Sequence, residues 1–350
     1  MHFNKKIIAL TIGLLAATSA FADAGKAYVT NQDGGVMVID LATMETTSNI
    51  DIQATGPRGI GITADGKWLV TANKDGNNIS IVDTATGALV KQVAIGKNPE
   101  FLRVRGYMAY VTYEPSPTTG GAQQSSETAA KNDDDDKLPG HIAIVDLKKG
   151  KVIKDIVGKP ETEGLEFSKD GKKLVVTNES DDSITVHDLK TGKLLKNVSI
   201  GDFGKRPRGI KVAPDGKSYI STLEFSDKLL ILDSKFKPIK TIDTGKSPYG
   251  VSYDRAGKRI FIASSKEKAL QVYDANTFEK IKDIHTGDRC WHFSFTPDDK
   301  NILLACGKSS EIVVIDADTL EVTKRIEDKQ LPWGVVTYPK SMGSLDTKLK

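Results

Sequence analysis

Short apolar runs alternate with tight polar turns along the chain, and this arrangement recurs at a nearly fixed interval. An aspartate closes an apolar, strand-like run seven times, and successive copies are 43, 63, 42, 45, 41 and 42 residues apart. These residues are Asp40, Asp83, Asp146, Asp188, Asp233, Asp274 and Asp316. A period of about 40–45 residues is typical of repeat architectures in which each unit is one supersecondary element.

A second marker opens a strand in every repeat. It consists of a proline or a substitute for it, then a variable residue, and usually a glycine. The copies are Pro57-Arg58-Gly59, Pro99-Glu100-Phe101, Thr162-Glu163-Gly164, Pro207-Arg208-Gly209, Pro248-Tyr249-Gly250, Cys290-Trp291-His292 and Pro332-Trp333-Gly334. Two markers that share one period indicate seven copies of the same unit.

The best-formed unit contains four strand-like runs, at residues 59–63, 68–72, 79–83 and 89–95. The turns Ala64-Asp65-Gly66 and Ala85-Thr86-Gly87 separate them, since Asp and Gly tolerate the positive φ that tight turns need. Four antiparallel strands per repeat predict a β-propeller blade. The sequence shows no sustained helical periodicity, which excludes an α-solenoid.

The two ends of the chain complement each other. Residues 27–31, 36–40 and 48–52 form three strands without an innermost one, whereas residues 334–338 form an innermost strand without its three partners. Joined, they complete a seventh blade and hide sheet edges. The sequence therefore predicts one all-β domain, residues 23–350, folded as a seven-bladed β-propeller that is closed by its N- and C-terminal strands.

The N-terminus has the pattern of a signal peptide. Lys5-Lys6 precede an apolar stretch at residues 7–15, and Ala20-Phe21-Ala22 matches the A-x-A pattern of signal peptidase sites. We predict a signal peptide over residues 1–22 with cleavage after Ala22. An uncleaved anchor is the alternative, but the apolar stretch is short for a membrane span. The mature protein is expected in an oxidising exported compartment, the bacterial periplasm.

Composition and charge limit the partners. With 27% charged and 39% hydrophobic residues, the chain is typical of a globular protein and not of a disordered one. The formal charge of +3 falls to +1 without residues 1–22, which carry Lys5 and Lys6 and no acidic residue. Binding to nucleic acid or to an anionic membrane requires a concentrated excess of positive charge. Neither partner is expected.

One repeat is about twenty residues longer than its neighbours. The excess lies at residues 114–139, which are rich in Pro, Gly, Ser and Thr and include an acidic run at 133–136. This run lacks the spaced ligands and the glycine of a calcium loop. We predict a flexible insertion at the rim of the central channel, because it connects the second and third strands of its blade.

The variable residue of the second marker recurs around the mouth of the predicted channel. This ring consists of Arg58, Glu100, Glu163, Arg208, Tyr249, Trp291 and Trp333. Aromatic side chains on one arc and arginines beside them would suit a flat, anionic or polar ligand. The alternative is that the aromatic residues plug the channel while the Arg and Glu side chains pair with one another.

Cys290 and Cys306 lie on adjacent strands of one blade. If Thr296 faces Lys300 across the intervening turn, the register places the two cysteines directly opposite each other, close enough for a disulfide bond. A soft-metal site formed by Cys290, His292 and Cys306 is the weaker alternative, because strand alternation puts Cys290 and His292 on one face. Free thiols are a third possibility.

Several segments resemble known propellers. Tyr28-Val29-Thr30-Asn31, the turn Ala213-Pro214-Asp215-Gly216-Lys217 and the stretch VVIDADTLEV resemble the YVTN-repeat family of bacterial β-propellers. The stretch FTPDDKNILLACGKSSEIVVID is similar to periplasmic propellers associated with PQQ-dependent catabolism, which are related to the cytochrome d1 propeller. The resemblance covers residues 27–340. It implies the propeller fold and an accessory role in a PQQ- or haem-linked oxidation system.

The function predicted from these observations is binding without turnover. We predict a monomeric periplasmic binding or scaffold propeller whose channel mouth takes a small ligand or a partner enzyme, with no cofactor of its own. The alternative is an enzyme, either a lactonase-like hydrolase or a redox propeller that carries haem, a quinone or a soft metal. No hydrolase elbow, zinc-protease motif, phosphate loop or C-x-x-C pair occurs in the sequence.

Overall fold

The computed structural model describes residues 24–114 and 138–346. The predicted signal peptide, its cleavage after Ala22 and nearly all of the 114–139 insertion lie outside these residues and stay predictions, as do the domain boundaries. Across the described ranges, no helix is long and apolar enough to cross a membrane.

The described residues form seven four-stranded antiparallel sheets, which confirms the predicted propeller. The innermost strands are β4 (Pro57–Ile62), β8 (Leu102–Arg105), β12 (Thr162–Phe167), β16 (Pro207–Val212), β20 (Pro248–Tyr253), β24 (Cys290–Phe295) and β28 (Pro332–Tyr338). The second strands are β1 (Lys26–Asn31), β5 (Trp68–Asn73), β9 (Met108–Tyr113), β13 (Lys173–Asn178), β17 (Ser218–Leu223), β21 (Arg259–Ser264) and β25 (Asn301–Cys306).

The third strands are β2 (Val36–Asp40), β6 (Asn78–Asp83), β10 (Pro139–Asp146), β14 (Ser183–Asp188), β18 (Lys228–Asp233), β22 (Ala269–Asp274) and β26 (Glu311–Asp316). The outer strands are β3 (Glu45–Ile50), β7 (Leu89–Ala94), β11 (Lys151–Pro160), β15 (Leu194–Ser199), β19 (Pro238–Asp243), β23 (Lys280–His285) and β27 (Val322–Glu327). A single turn of 3-10 helix, Gly307–Ser309, follows β25.

The ring closes as the sequence predicts. Strand β28 pairs antiparallel with β1, so that Val335 lies opposite Val29 and Val336 opposite Tyr28. Each innermost strand contacts the innermost strand of the next blade, and β28 contacts β4. Val335 and Val29 are fully buried between this blade and its neighbour. The chain ends therefore hold the first and last blades together.

The aspartate that closes each third strand builds the turn after it. Its carboxylate accepts hydrogen bonds from backbone N–H groups of that turn, as Asp83 does from Ala85 and Thr86, and Asp316 from Asp318 and Thr319. These bonds lower the pKa of Asp83 and of Asp316. The period of the aspartates thus reports a turn that recurs in every blade.

The second marker opens each innermost strand from a left-handed residue. The residue before the marker has φ between 49° and 65° in all seven blades. These residues are Gly56, Asn98, Glu161, Arg206, Ser247, Arg289 and Leu331. In six blades, the carbonyl oxygen of this residue accepts a hydrogen bond from the backbone N–H that follows the second strand, at 2.8 to 3.1 Å. In the remaining blade, the N–H of Glu114 donates to Lys97 O. This hydrogen bond joins the start of the innermost strand to the end of the second strand. We call this end of the blades the rim.

The glycine of the second marker allows neighbouring blades to approach closely. Gly59 N donates to Glu100 O at 2.9 Å, and a Cβ at Gly59 would lie 2.7 Å from the same oxygen. A Cβ at Gly334 would lie 2.8 Å from Arg58 O. A side chain at either position would push two innermost strands apart, because real Cβ contacts are longer than this.

Strand β3 begins earlier than predicted, at Glu45 instead of residue 48. Its first five residues are exposed and polar, so no apolar alternation marks this outer strand in the sequence.

We expect Val335→Asp to abolish cooperative unfolding or to lower the free energy of unfolding by more than about 4 kcal/mol, because it places a charge in the buried closure. Val90→Asp is the control, since Val90 lies on outer strand β7 and its exposed fraction is 53%. Urea denaturation followed by circular dichroism measures both. Equal stability of the two variants would contradict closure by β28 and β1.

Candidate functional site

The ring of variable residues lies at the rim, where it forms a network of charges. Arg58 pairs with Glu100 of the next blade, and Arg58 Nε donates to Gln32 Oε1 at 2.9 Å. Glu163, Arg208 and Tyr249 follow in the next three blades. The structure therefore brings five of the seven sequence-predicted residues together as ion pairs or hydrogen-bond partners.

Arg208 is the centre of this network. Its guanidinium pairs with Glu179, lies 3.2 Å from Glu163 Oε1, and donates from Nε to Glu224 Oε2 at 2.6 Å. Its Cζ also lies 4.9 Å from the centroid of the Tyr249 ring. The Tyr249 hydroxyl donates to Glu163 Oε1 at 3.1 Å. Charge-assisted contacts of this kind fix both partners in one orientation.

A second set of rim residues was missed by the sequence analysis. These residues directly follow the second strand of each blade and are Gln32, Lys74, Glu114, Glu179, Glu224, Ser265 and Gly307. Their constant offset from the second strand was a usable signal. Left-handed residues add Glu161 and Arg206, and Arg206 lies 3.3 Å from Glu161 and 2.7 Å from Glu179.

We call this network the rim funnel, and it consists of Arg58, Glu100, Glu161, Glu163, Glu179, Arg206, Arg208, Glu224 and Tyr249. Five carboxylates thus share three guanidinium groups. Burial, followed by the negative charge of Glu100, raises the pKa of Glu163 to about 7. Burial acts against ionisation of Glu100 as well, but Arg58 lowers the pKa of that carboxyl below its usual value. Glu163 therefore takes up a proton before Glu100 does.

The aromatic residues of the ring separate into two groups. Tyr249 and Trp333 pack edge to face with centroids 6.3 Å apart, and the exposed fraction of Trp333 is only 1%. Trp291 lies apart from this pair: its ring covers Gly307, and the Arg289 guanidinium lies 5.9 Å from its centroid. Tyr249 and Trp333 thus form part of the interior below the rim.

Two blades replace the marker glycine with a large side chain, and these side chains form a floor below the rim funnel. The rings of Phe101 and His292 are 6.0 Å apart, and His292 lies 4.2 Å from Trp333 and 5.4 Å from Tyr249 between centroids. Burial holds the pKa of His292 well below its usual value, so the ring is neutral at pH 7. The rings of Phe101, His292, Trp333 and Tyr249 therefore pack against one another below the rim.

A groove of about 660 Å³ adjoins the rim funnel at Gln32. Its volume is in the range of small-ligand sites. Its lining residues include Asp33, Asp51, Asp75 and Gln330. We call it the rim groove.

The predicted disulfide is confirmed. Cys290 and Cys306 lie opposite each other on β24 and β25 and are bonded through their sulfur atoms. His292 does not share their surroundings, because the register shifts between Cys290 and Phe293 and the imidazole lies in the channel floor. Among residues 24–114 and 138–346, no three His, Cys, Asp or Glu residues are arranged to hold a metal ion.

Comparison with known proteins finds similarity to solved structures. Neither a family model nor a curated protein matches the chain. Solved structures do match. Hydrazine synthase of Kuenenia stuttgartiensis is 18% identical with a TM-score of 0.71, over 85% of this chain and 93% of that one.

The periplasmic gluconolactonase PpgL of Pseudomonas aeruginosa is 15% identical with a TM-score of 0.71, over 89% of this chain and 98% of that one. The dihydro-heme d1 dehydrogenase NirN is 17% identical with a TM-score of 0.65, over 90% of this chain and 75% of that one. At these identities, the chain is similar to these proteins in its β-propeller fold.

We expect Glu163→Gln to change how stability depends on pH. The pKa of Glu163 is raised from 4.5 to about 7, so the folded state binds this proton more tightly than the unfolded state does. The free energy of unfolding therefore falls as the pH rises from 4.5 to 7. The variant should lack this fall, which amounts to at most about 3 kcal/mol. Urea denaturation across this range measures it. The control is Glu327→Gln on the outer strand β27, and equal slopes in the two variants would contradict the assignment.

Proposed function

We propose that the protein is an exported binding propeller that takes a small polar ligand in the rim groove and at the adjoining edge of the rim funnel. The observation that supports this most directly is that Gln32 and three aspartates line a groove of suitable volume, and that Gln32 joins it to the rim funnel by accepting a hydrogen bond from Arg58. Gln32, Asp33 and Asp51 belong to the blade that β28 and β1 close, and Asp75 belongs to the next blade, so the site requires the closed ring. The sequence-predicted ring residues remain proposed ligand contacts.

The charges favour a ligand with many hydrogen-bond donors. Arg58, Arg206 and Arg208 each pair with at least one carboxylate, so binding an anion would require breaking those pairs. The carboxylates that line the rim groove accept hydrogen bonds from hydroxyl or ammonium groups. We therefore propose a polyhydroxylated or cationic small molecule. The arginines alone would suit an anionic ligand, but their ion pairs disfavour it.

The proposed compartment and the proposed partner are supported by different observations. The signal-peptide pattern and the disulfide support the periplasm. The resemblance to YVTN-repeat propellers and to periplasmic proteins of PQQ-dependent catabolism supports an accessory role in a PQQ- or haem-linked oxidation. We propose that role, with a partner enzyme supplying the redox chemistry and this chain acting as a monomer.

A second candidate function is hydrolysis of a cyclic ester. Glu163, with a pKa of about 7, lies within hydrogen-bond distance of both Tyr249 and Arg208, which suits acid–base work at neutral pH. As a carboxylate, Glu163 would take a proton from water while the water oxygen attacks the ester carbonyl. Arg208 would stabilise the oxyanion, and the same proton would pass to the departing ring oxygen as the C–O bond breaks.

Three probes that share the six-carbon skeleton of glucose and differ in charge test the binding proposal by calorimetry. We expect the cation D-glucosamine to bind more tightly than neutral D-glucose and the anion D-gluconate to bind least, because the rim groove is lined by carboxylates. Gln32→Ala should weaken D-glucosamine binding about two- to tenfold, as expected for one hydrogen bond. Asn197→Ala, on the exposed outer strand β15, is the control.

The alternatives have separate readouts. Release of acid from D-glucono-1,5-lactone above the spontaneous rate, lost in Glu163→Gln, would replace the binding proposal with hydrolysis. Stoichiometric absorbance changes with PQQ or haemin would indicate a cofactor-carrying propeller instead. If millimolar D-glucosamine, D-glucose and D-gluconate all fail to bind, the proposed ligand class is wrong.

A further inference from the structure

Below the floor, a segment that follows β28 fills the channel. Residues 340–346, which we call the tail strap, turn back from β28 into the channel and run antiparallel to β24. Phe295 N donates to Met342 O at 2.8 Å, and Ser344 N donates to Phe293 O at 2.9 Å. The side chains of Ser341, Met342, Ser344 and Leu345 are buried. The tail strap therefore adds a strand-like segment to the inner edge of one blade.

Charged side chains of other blades hold the tail strap by its backbone. Arg103 donates from Nη1 to Leu345 O at 3.1 Å and from Nη2 to Ser344 O at 3.3 Å. Lys211 Nζ donates to Asp346 O at 2.7 Å. Both cations are buried and lie 3.3 Å and 3.6 Å from Glu166. Since a buried cation is costly without acceptors, the tail strap and these side chains stabilise one another.

One residue of the tail strap reaches the floor of the rim funnel. Ser344 Oγ lies 3.0 Å from His292 Nδ1, and it also accepts a hydrogen bond from Phe293 N at 3.0 Å. His292 in turn contacts Trp333 and Tyr249, and the Tyr249 hydroxyl donates to Glu163. A continuous set of contacts thus joins Ser344 to the rim funnel.

Small residues make room for this contact. A Cβ at Gly250 would lie 3.1 Å from Ser344 Cβ, and a Cβ at Gly334 would lie 2.8 Å from Leu345 Cδ1. The marker glycines of these two blades therefore accommodate the tail strap as well as the neighbouring blade. The tail strap is fitted to the channel at the level where His292 lies.

We propose that the tail strap sets the orientation of His292 and thereby of Tyr249, so that Ser344 is a positioning residue for the rim funnel and its ligand. The proposal rests on the proposed ligand binding at the rim. The imidazole is buried, and Ser344 Oγ is the hydrogen-bond partner of its Nδ1. The rings around His292 restrain its plane, whereas the contact with Ser344 specifies that Nδ1 faces the tail strap.

The test compares two buried serines of the channel in the full-length protein. Ser344→Ala removes the hydroxyl at His292, whereas Ser252→Ala removes a buried hydroxyl on β20 that bonds to Tyr253 O. Nitrogen-15 NMR of the His292 ring, assigned with His292→Gln, should show a single fixed tautomer in the parent protein. Ser344→Ala should shift the Nδ1 resonance and speed exchange of the ring N–H, and Ser252→Ala should not.

Ligand affinity provides the second readout. We expect Ser344→Ala to weaken D-glucosamine binding by up to about tenfold, because the loss of the Ser344–His292 hydrogen bond lets His292 and Tyr249 move, and we expect Ser252→Ala to leave the affinity unchanged. If both variants keep the parent His292 spectrum and affinity, the tail strap only fills the channel and the proposal is wrong. If the parent protein binds no probe, the proposed function fails, and the His292 spectrum alone decides whether Ser344 positions the ring.

Discussion

Pairing of β28 with β1 is the constraint on which the rest of the structure depends. It converts a row of blades into a ring, so that seven innermost strands begin at one rim and end at one lower mouth. The rim funnel exists only in the closed ring, because Arg58, Glu100, Glu163 and Arg208 come from four different blades and find their partners across blade boundaries. Closure also places the end of β28 beside the channel, from which the tail strap enters it.

The sequence predicts those features that repeat. Asp40 and its six equivalents, and Pro57-Arg58-Gly59 and its six equivalents, occupy one structural position in every blade, so their period was sufficient for the fold and for ring closure. The register of one hairpin was enough for the disulfide, because the turn between Thr296 and Lys300 fixes which residues face each other. The fold and ring closure need only local rules applied seven times, and the disulfide needs only the local register of one hairpin.

Features that occur once could not be predicted in this way. The tail strap has no counterpart in another blade, and its Ser and Gly residues carry no strand or helix signal. The floor depends on Phe101 and His292 departing from the marker glycine, and the sequence does not reveal that the two rings meet across the channel. The burial of Trp333 likewise involves packing against Tyr249 and His292, which belong to two other blades.

The left-handed residues at the rim have a consequence for how this surface can change. What they share is carried by the backbone, because in six blades their carbonyl oxygen accepts the hydrogen bond that ties the blade together. Their side chains range from none in Gly56 to a guanidinium in Arg206 and an alkyl group in Leu331. Side-chain chemistry at these positions is therefore uncoupled from blade geometry. Substitutions at these positions, one per blade, can therefore change which ligands the rim binds, in evolution or in protein engineering, without changing the scaffold.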